Sequence, residues 1–104
     1  MTMLENKERV SHICMKPSAV VKCKIGQDWY SCNFEVHFIP KRFYPDYMEV
    51  ASYVEKHIDG QELNIEEAAK MLYDYLATLE PESLSVTNHV RGCKTHFDVD
   101  VTIK

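Results

Sequence analysis

The chain has 104 residues, 45% of them hydrophobic and 27% charged, with a net charge of -4 and a pI near 5.7. That length suits one domain with one core, and the composition is that of a folded chain rather than a disordered one. The acidic balance excludes a broad basic surface for gripping phosphates, leaving only a local patch such as Lys22, Lys24, Lys41 and Arg42, and no apolar run approaches the ~20 residues of a spanning helix.

Residues 1–16 are polar with scattered apolar positions and read as an N-terminal arm or an extra strand, Arg9 to Met15 being the strand candidate; residues 17–104 read as a single domain. The opening MTMLENKERV has no apolar stretch of the kind a secretion signal needs, so the expectation is a cytoplasmic protein with reduced thiols. The four cysteines, Cys14, Cys23, Cys32 and Cys93, form no CxxC pair. Cys93 and His96 have a metal-like local spacing, but no second pair completes a zinc site, and no metal is expected.

After Pro17, Ala19, Val21, Cys23 and Ile25 alternate with Val20, Lys22 and Lys24. Gly26-Gln27-Asp28 interrupts the pattern, and Cys32, Phe34, Val36 and Phe38 then alternate with Asn33, Glu35 and His37. Period-two alternation on both sides of a Gly/Asp break predicts a hairpin. Cys23 just before the turn and Asp28 within it are its two chemically able groups. Past Pro45, Asp46 is a candidate N-cap for a helix from Tyr47 to about Ile58, with Tyr47, Val50, Ala51, Val54 and Ile58 on one face and Gly60 beyond its end. Asn64, with Glu67 three residues on, predicts a capping box and a second helix, with Ile65, Ala68, Leu72, Tyr75, Leu76 and Leu79 as its buried stripe. Pro81 stops it. Leu84, Val86 and Asn88 alternate with Ser85, Thr87 and His89, and after Arg91-Gly92 the run Phe97, Val99, Val101, Ile103 alternates with Asp98, Asp100 and Thr102.

The order ββααββ predicts an α+β fold: a four-stranded antiparallel sheet with both helices on one face. The other face, with Lys22, Lys24, Glu35, His37, Asp98 and Asp100, is expected to be wet. Open sheet edges are a pairing hazard, and closure of several copies into an oligomeric barrel would remove it.

These residues resemble the tunnelling fold (T-fold), and within it the 7-cyano-7-deazaguanine reductase (QueF-like) family of queuosine biosynthesis and its archaeal amidinotransferase relatives. The anchors run from about Cys23 to Ile103: Cys23 with Gly26-Gln27 and Asp28, Phe38-Ile39-Pro40, Leu79-Glu80-Pro81, Val86-Thr87, and Arg91-Gly92. The Cys23-to-Ile39 interval agrees with the family spacing. The resemblance implies a nitrile reductase in which Cys23 forms a covalent thioimide and Asp28 handles protons, with a purine-like substrate held by a carboxylate at Glu66 or Glu67 and NADPH as cofactor. It also implies a homo-oligomer, and a tRNA partner only on the amidinotransferase reading.

The sequence departs from that family at several places. Lys24 stands where the family has proline, and Asp28 is two residues closer to the cysteine. Met48 and Ala51 replace the cofactor lysines, so the NADPH motif is absent, and Asn64-Ile65 falls where the family has its His-Glu pair. An ammonia-using amidinotransferase, or a non-catalytic relative binding a purine- or pterin-like ring at subunit interfaces, are the alternatives. Plainer readings also exist. Cys23 suits a packed strand residue, Asp28 a turn, and Glu66 and Glu67 the first turn of a helix; His37, His89 and His96 suit a polar face, and Tyr44, Tyr47 and Tyr53 packing.

Overall fold

The computed structural model describes residues 1–91 and 97–104. In chain order the elements are β1 (Met3–Glu5), β2 (Ile13–Met15), β3 (Ser18–Lys22), β4 (Trp29–Ile39), β5 (Phe43–Pro45), α1 (Tyr47–His57), α2 (Ile65–Ala77), β6 (Ser83–Val90) and β7 (Val99–Ile103).

The alternation around Phe34 and Val36 extends through all 11 residues of β4. Cys32, Phe34, Val36 and Phe38 turn inward and are buried. Along one edge β4 pairs with β6, from Asn33 with His89 to Ile39 with Ser83. Along the other it pairs first with β3 and then with β2, all antiparallel. β6 in turn pairs with β7. The sheet therefore has five strands rather than four. Pro17 cannot continue a ladder as a donor, so the edge partner of β4 is split into two strands, and the second half comes from residues 13–15 of the N-terminal segment. β1 pairs with β5 in a separate two-stranded ribbon.

Asp46 caps α1, its Oδ1 accepting from the Met48 N–H at 2.9 Å. Gly60, at φ 77, takes the left-handed conformation that ends the helix region. At the head of α2 the Asn64 N–H donates to Glu67 Oε1 at 3.2 Å, the reach-back half of a capping box. Beyond α2 the chain reverses through Glu80, at φ 52, into Pro81. α2 lies across β6 and β7 and α1 against β3, on one side of the sheet. Val50, Val54 and Ile58 of the first helical segment, Ala68, Leu72, Leu76 and Leu79 of the second, and the inward residues of β4 and β6 form the core. Two predicted core-side positions of α1 are outside it: Tyr47 and Ala51 are exposed, because the Val50–Val54–Ile58 line of the helix is the one that enters the core.

The helix-free face is polar, as expected for one wet side. Glu35 meets His37 at 2.6 Å and His89 at 3.3 Å; Asp100 meets His89 at 2.7 Å and Arg91 at 2.5 Å. His37 holds the Glu35 carboxyl below its usual range, and Arg91 does the same for Asp100. Lys24, expected on this face, is elsewhere, as described below.

Phe34 is 2% exposed between the sheet and the helices. Phe34→Ala is expected to lower unfolding stability by about 3–5 kcal/mol, read as a drop in urea midpoint at unchanged slope.

Candidate active site

β3 ends at Lys22, three residues before the alternating pattern suggested. The stretch from Gln61 to Leu63 runs parallel to it and takes over its outer edge. The Lys22 N–H donates to Gln61 O at 2.9 Å and the Leu63 N–H to Lys22 O at 2.9 Å, with Lys22 bridged to Glu62. Released from the ladder, the chain folds into a turn. The Cys23 N–H donates to Asp28 O at 2.8 Å and the Gln27 N–H to Cys23 O at 3.0 Å, while Gln27 adopts φ 60.

This turn corrects two expectations. Cys23 is a turn residue at the root of the loop, half-buried, not an inward strand residue. Ile25, expected on the same strand face as Cys23, is 86% exposed, since the period-two pattern no longer applies once the strand has ended. The Gly26 N–H donates to Cys23 Sγ at 3.5 Å. Asp28 folds over the same turn: its Oδ2 lies 3.7 Å from where a Cβ on Gly26 would stand.

Lys24, freed from the strand face, reaches the head of α2. Its Nζ meets Glu67 Oε2 at 2.8 Å, and Gln27 Nε2 donates to Lys24 O at 2.9 Å and to Glu62 Oε1 at 3.1 Å. Glu67 thus serves Lys24 with one oxygen and the Asn64 N–H with the other, and these donors, Lys24 first, lower its carboxyl pKa. Glu66, one residue earlier, keeps its carboxylate exposed. Together with Glu67, Lys70, Met71 and Ile103 it lines an apolar-walled groove of about 470 Å³ between α2 and β7, a size that suits a small ring system. Cys23, Asp28 and Glu67 are therefore gathered at one end of a single chain.

Beneath the turn lies a buried polar set that sequence reasoning did not identify. The Tyr30 hydroxyl donates to Leu63 O at 2.7 Å. Burial first, then the neighbouring Cys32, Cys23 and Glu66, push its pKa far above the usual tyrosine value, so it stays a donor. Asn88 is fully buried. Its Nδ2 donates to Cys32 Sγ at 3.3 Å and to Ile65 O at 3.2 Å, while its Oδ1 has no hydrogen-bond partner among the described residues. Burial raises the Cys32 thiol pKa, and the donors Asn88 and Tyr30 partly oppose that. A buried acceptor left unpaired costs about 1–3 kcal/mol, so Asn88 is an expensive residue at an inward position of β6. A polar residue at an apolar register position is the signal that could have found it.

Met48 is 76% exposed and Ala51 is also on the surface; neither offers charge to a phosphate at the positions where the resembling reductases carry lysines. Tyr53 stacks on Tyr75 at 3.9 Å, the packing role expected of it. Gly92, Cys93 and His96 lie outside the described residues. Among the described residues no group of three His, Cys, Asp or Glu is placed to hold a metal ion, and no helix is long and apolar enough to cross a membrane.

Among solved structures, the chain is similar to the archaeosine synthase QueF-Like in its apo form, with a TM-score of 0.80 and 22% identity, over 90% of this chain and 92% of that one. No family model matches the sequence, and no curated protein does. The chain has the tunnelling fold, in the form seen in that enzyme.

The Lys24–Glu67 tie makes a pH prediction. A carboxyl held below its ordinary pKa stabilises the fold above the normal carboxylate range and loses that contribution as pH falls through the folded value. Lys24→Met is therefore expected to be less stable than the parent chain at pH 7. The gap should close as pH falls below about 4, read from thermal midpoints of both proteins across that range.

Proposed function

We propose that the chain is an enzyme of deazapurine metabolism that forms a thioimide between Cys23 and the nitrile carbon of a 7-cyano-7-deazaguanine-like base. The observation that carries this reading is the docking of the Cys23 turn on the head of α2. Lys24 and Glu67, 43 residues apart in sequence, close that contact, which supports a nucleophile and carboxylates acting at one place. The groove beside Glu66 has room for the ring, and a carboxylate there accepts two N–H bonds from a purine-like edge.

The sulfur adds to the nitrile carbon, and the C≡N bond becomes C=N. The proton released from the thiol passes through Asp28 to the nitrile nitrogen, so the step is neutral overall. For the second step, ammonia fits this chain better than a hydride donor, given Met48 and Ala51. Ammonia adds to the thioimide carbon, the carbon–sulfur bond breaks, and an amidine leaves with the Cys23 thiol restored. The activity named for the similar structure, archaeosine synthase, favours this form over a nitrile reductase. On that form, the base arrives carried in tRNA. A non-catalytic ring-binding protein is the second reading, favoured by Glu67 being occupied by Lys24.

Intact-protein mass after incubation with the free nitrile base separates the two. Thioimide chemistry gives an adduct of one base per chain, mapped to the Cys23 peptide and absent in Cys23→Ala. Asp28→Asn should slow its formation about 10²–10⁴-fold. Saturable binding with no adduct at any pH from 6 to 9, from the free base or from tRNA that carries it, would establish the ring-binding reading instead.

The site is further proposed to operate in a homo-oligomer, because β7 has a partner on one side only among the described residues and an open edge invites another strand. Sedimentation at micromolar concentration should give several subunits; a single monomeric species would remove the assembly from the proposal.

A further inference from the structure

The segment before Glu66 and Glu67 is joined to β3 by the two backbone bonds at Lys22, and further contacts fix the head of α2 against the Cys23 turn. On the solvent side that is done by flexible groups: Lys24 to Glu67 and Gln27 to Glu62, with exposed side chains. On the core side it is done by two rigid ones. Tyr30, on β4, donates to the carbonyl of Leu63 at 2.7 Å. Asn88, on β6, donates to the carbonyl of Ile65 at 3.2 Å. The two carbonyls flank Asn64, the capping residue of α2. Cys32, opposite Ala19 on β4, joins the pair: its sulfur accepts from Asn88 Nδ2 and lies against the Tyr30 hydroxyl. The backbone that precedes Glu66 is thus gripped from below by two neighbouring strands.

We propose that Tyr30 and Asn88 are positioning residues, which hold the Leu63–Ile65 backbone so that the carboxylates at the head of α2 stand in fixed register with Cys23. This rests on the thioimide reading for its consequence but not for its geometry. Two features point to positioning rather than packing. A phenylalanine would fill the Tyr30 site with the same ring, so the hydroxyl's bond to Leu63 O is what tyrosine adds. An apolar residue at position 88 would leave no orphaned Oδ1 in the core, so the asparagine is accounted for by its reach to Ile65 O and Cys32. Lining a strand-to-helix junction with side-chain donors also leaves its carbonyls unable to relax toward water, which keeps the segment in one conformation.

The test uses Tyr30→Phe in the full chain, with Asn88→Ser as a second variant that keeps a small polar group if the first unfolds. Amide exchange followed by mass spectrometry should rise about tenfold in residues 61–68 and stay unchanged in α1. With the nitrile base, the half-saturating concentration for adduct formation should rise about tenfold while the limiting rate stays within about twofold. Exchange that rises equally in α1, or does not rise in 61–68, overturns the proposal, as does an unchanged half-saturating concentration. If the parent chain makes no adduct but Tyr30→Phe still loosens residues 61–68 selectively, the thioimide reading fails and the positioning role stands on the exchange result.

Discussion

A strand with one buried and one wet face cannot slip by a single residue without turning its whole apolar set to water. β4 is subject to that restriction along both edges at once. Phe34 lies opposite Asn88, Val36 opposite Val86 and Phe38 opposite Leu84 on one side, and Phe38 pairs with Ile13 and Cys32 with Ala19 on the other. The register of β3, β2 and β6 is thereby settled together, and β7 follows from β6. The two helices then have one apolar floor available, and their stripes fit only on that side.

The candidate site is what forms where this regularity stops. The strand pairing of β3 gives way to the parallel run of residues 61–63, and the chain must double back within a few residues to start β4. That reversal puts Cys23 and Asp28 beside the segment that opens α2. Closing a loop between groups so far apart in sequence costs entropy that the fold has already met elsewhere, through the sheet and the α1–α2 connection. The candidate site therefore draws on core packing more than on its own few hydrogen bonds.

The sequence was informative wherever one physical period governed a stretch. The inward set of β4, the Asp46 and Asn64 helix starts, the stop at Pro81 and the one-sided placement of both helices follow from alternation, capping and side-chain branching. Resemblance added the tunnelling fold, which pattern alone does not specify. Reading failed where a tertiary partner overrode the period. Nothing local says that residues 61–63 will displace the end of β3, so Cys23 and Ile25 were extrapolated as strand residues and Lys24 was sent to the wrong face. The β1–β5 ribbon is three residues a side, too short to leave a pattern. Tyr30 and Asn88 sit in plain alternating strands; only the carbonyls they meet, contributed by residues distant in sequence, give them a role.

Lys24 stands where the resembling family places a proline. Proline stiffens a turn through its ring, by a constraint indifferent to the solution around it. Lys24 ties its turn to α2 through a charge pair whose side chains are 47% and 38% exposed, and such a pair is screened as salt is added. The replacement exchanges a covalent constraint for an electrostatic one. The rigidity of the outer wall of this site is accordingly a property of its ionic surroundings, while the inner wall, built from neutral donors out of solvent, is not.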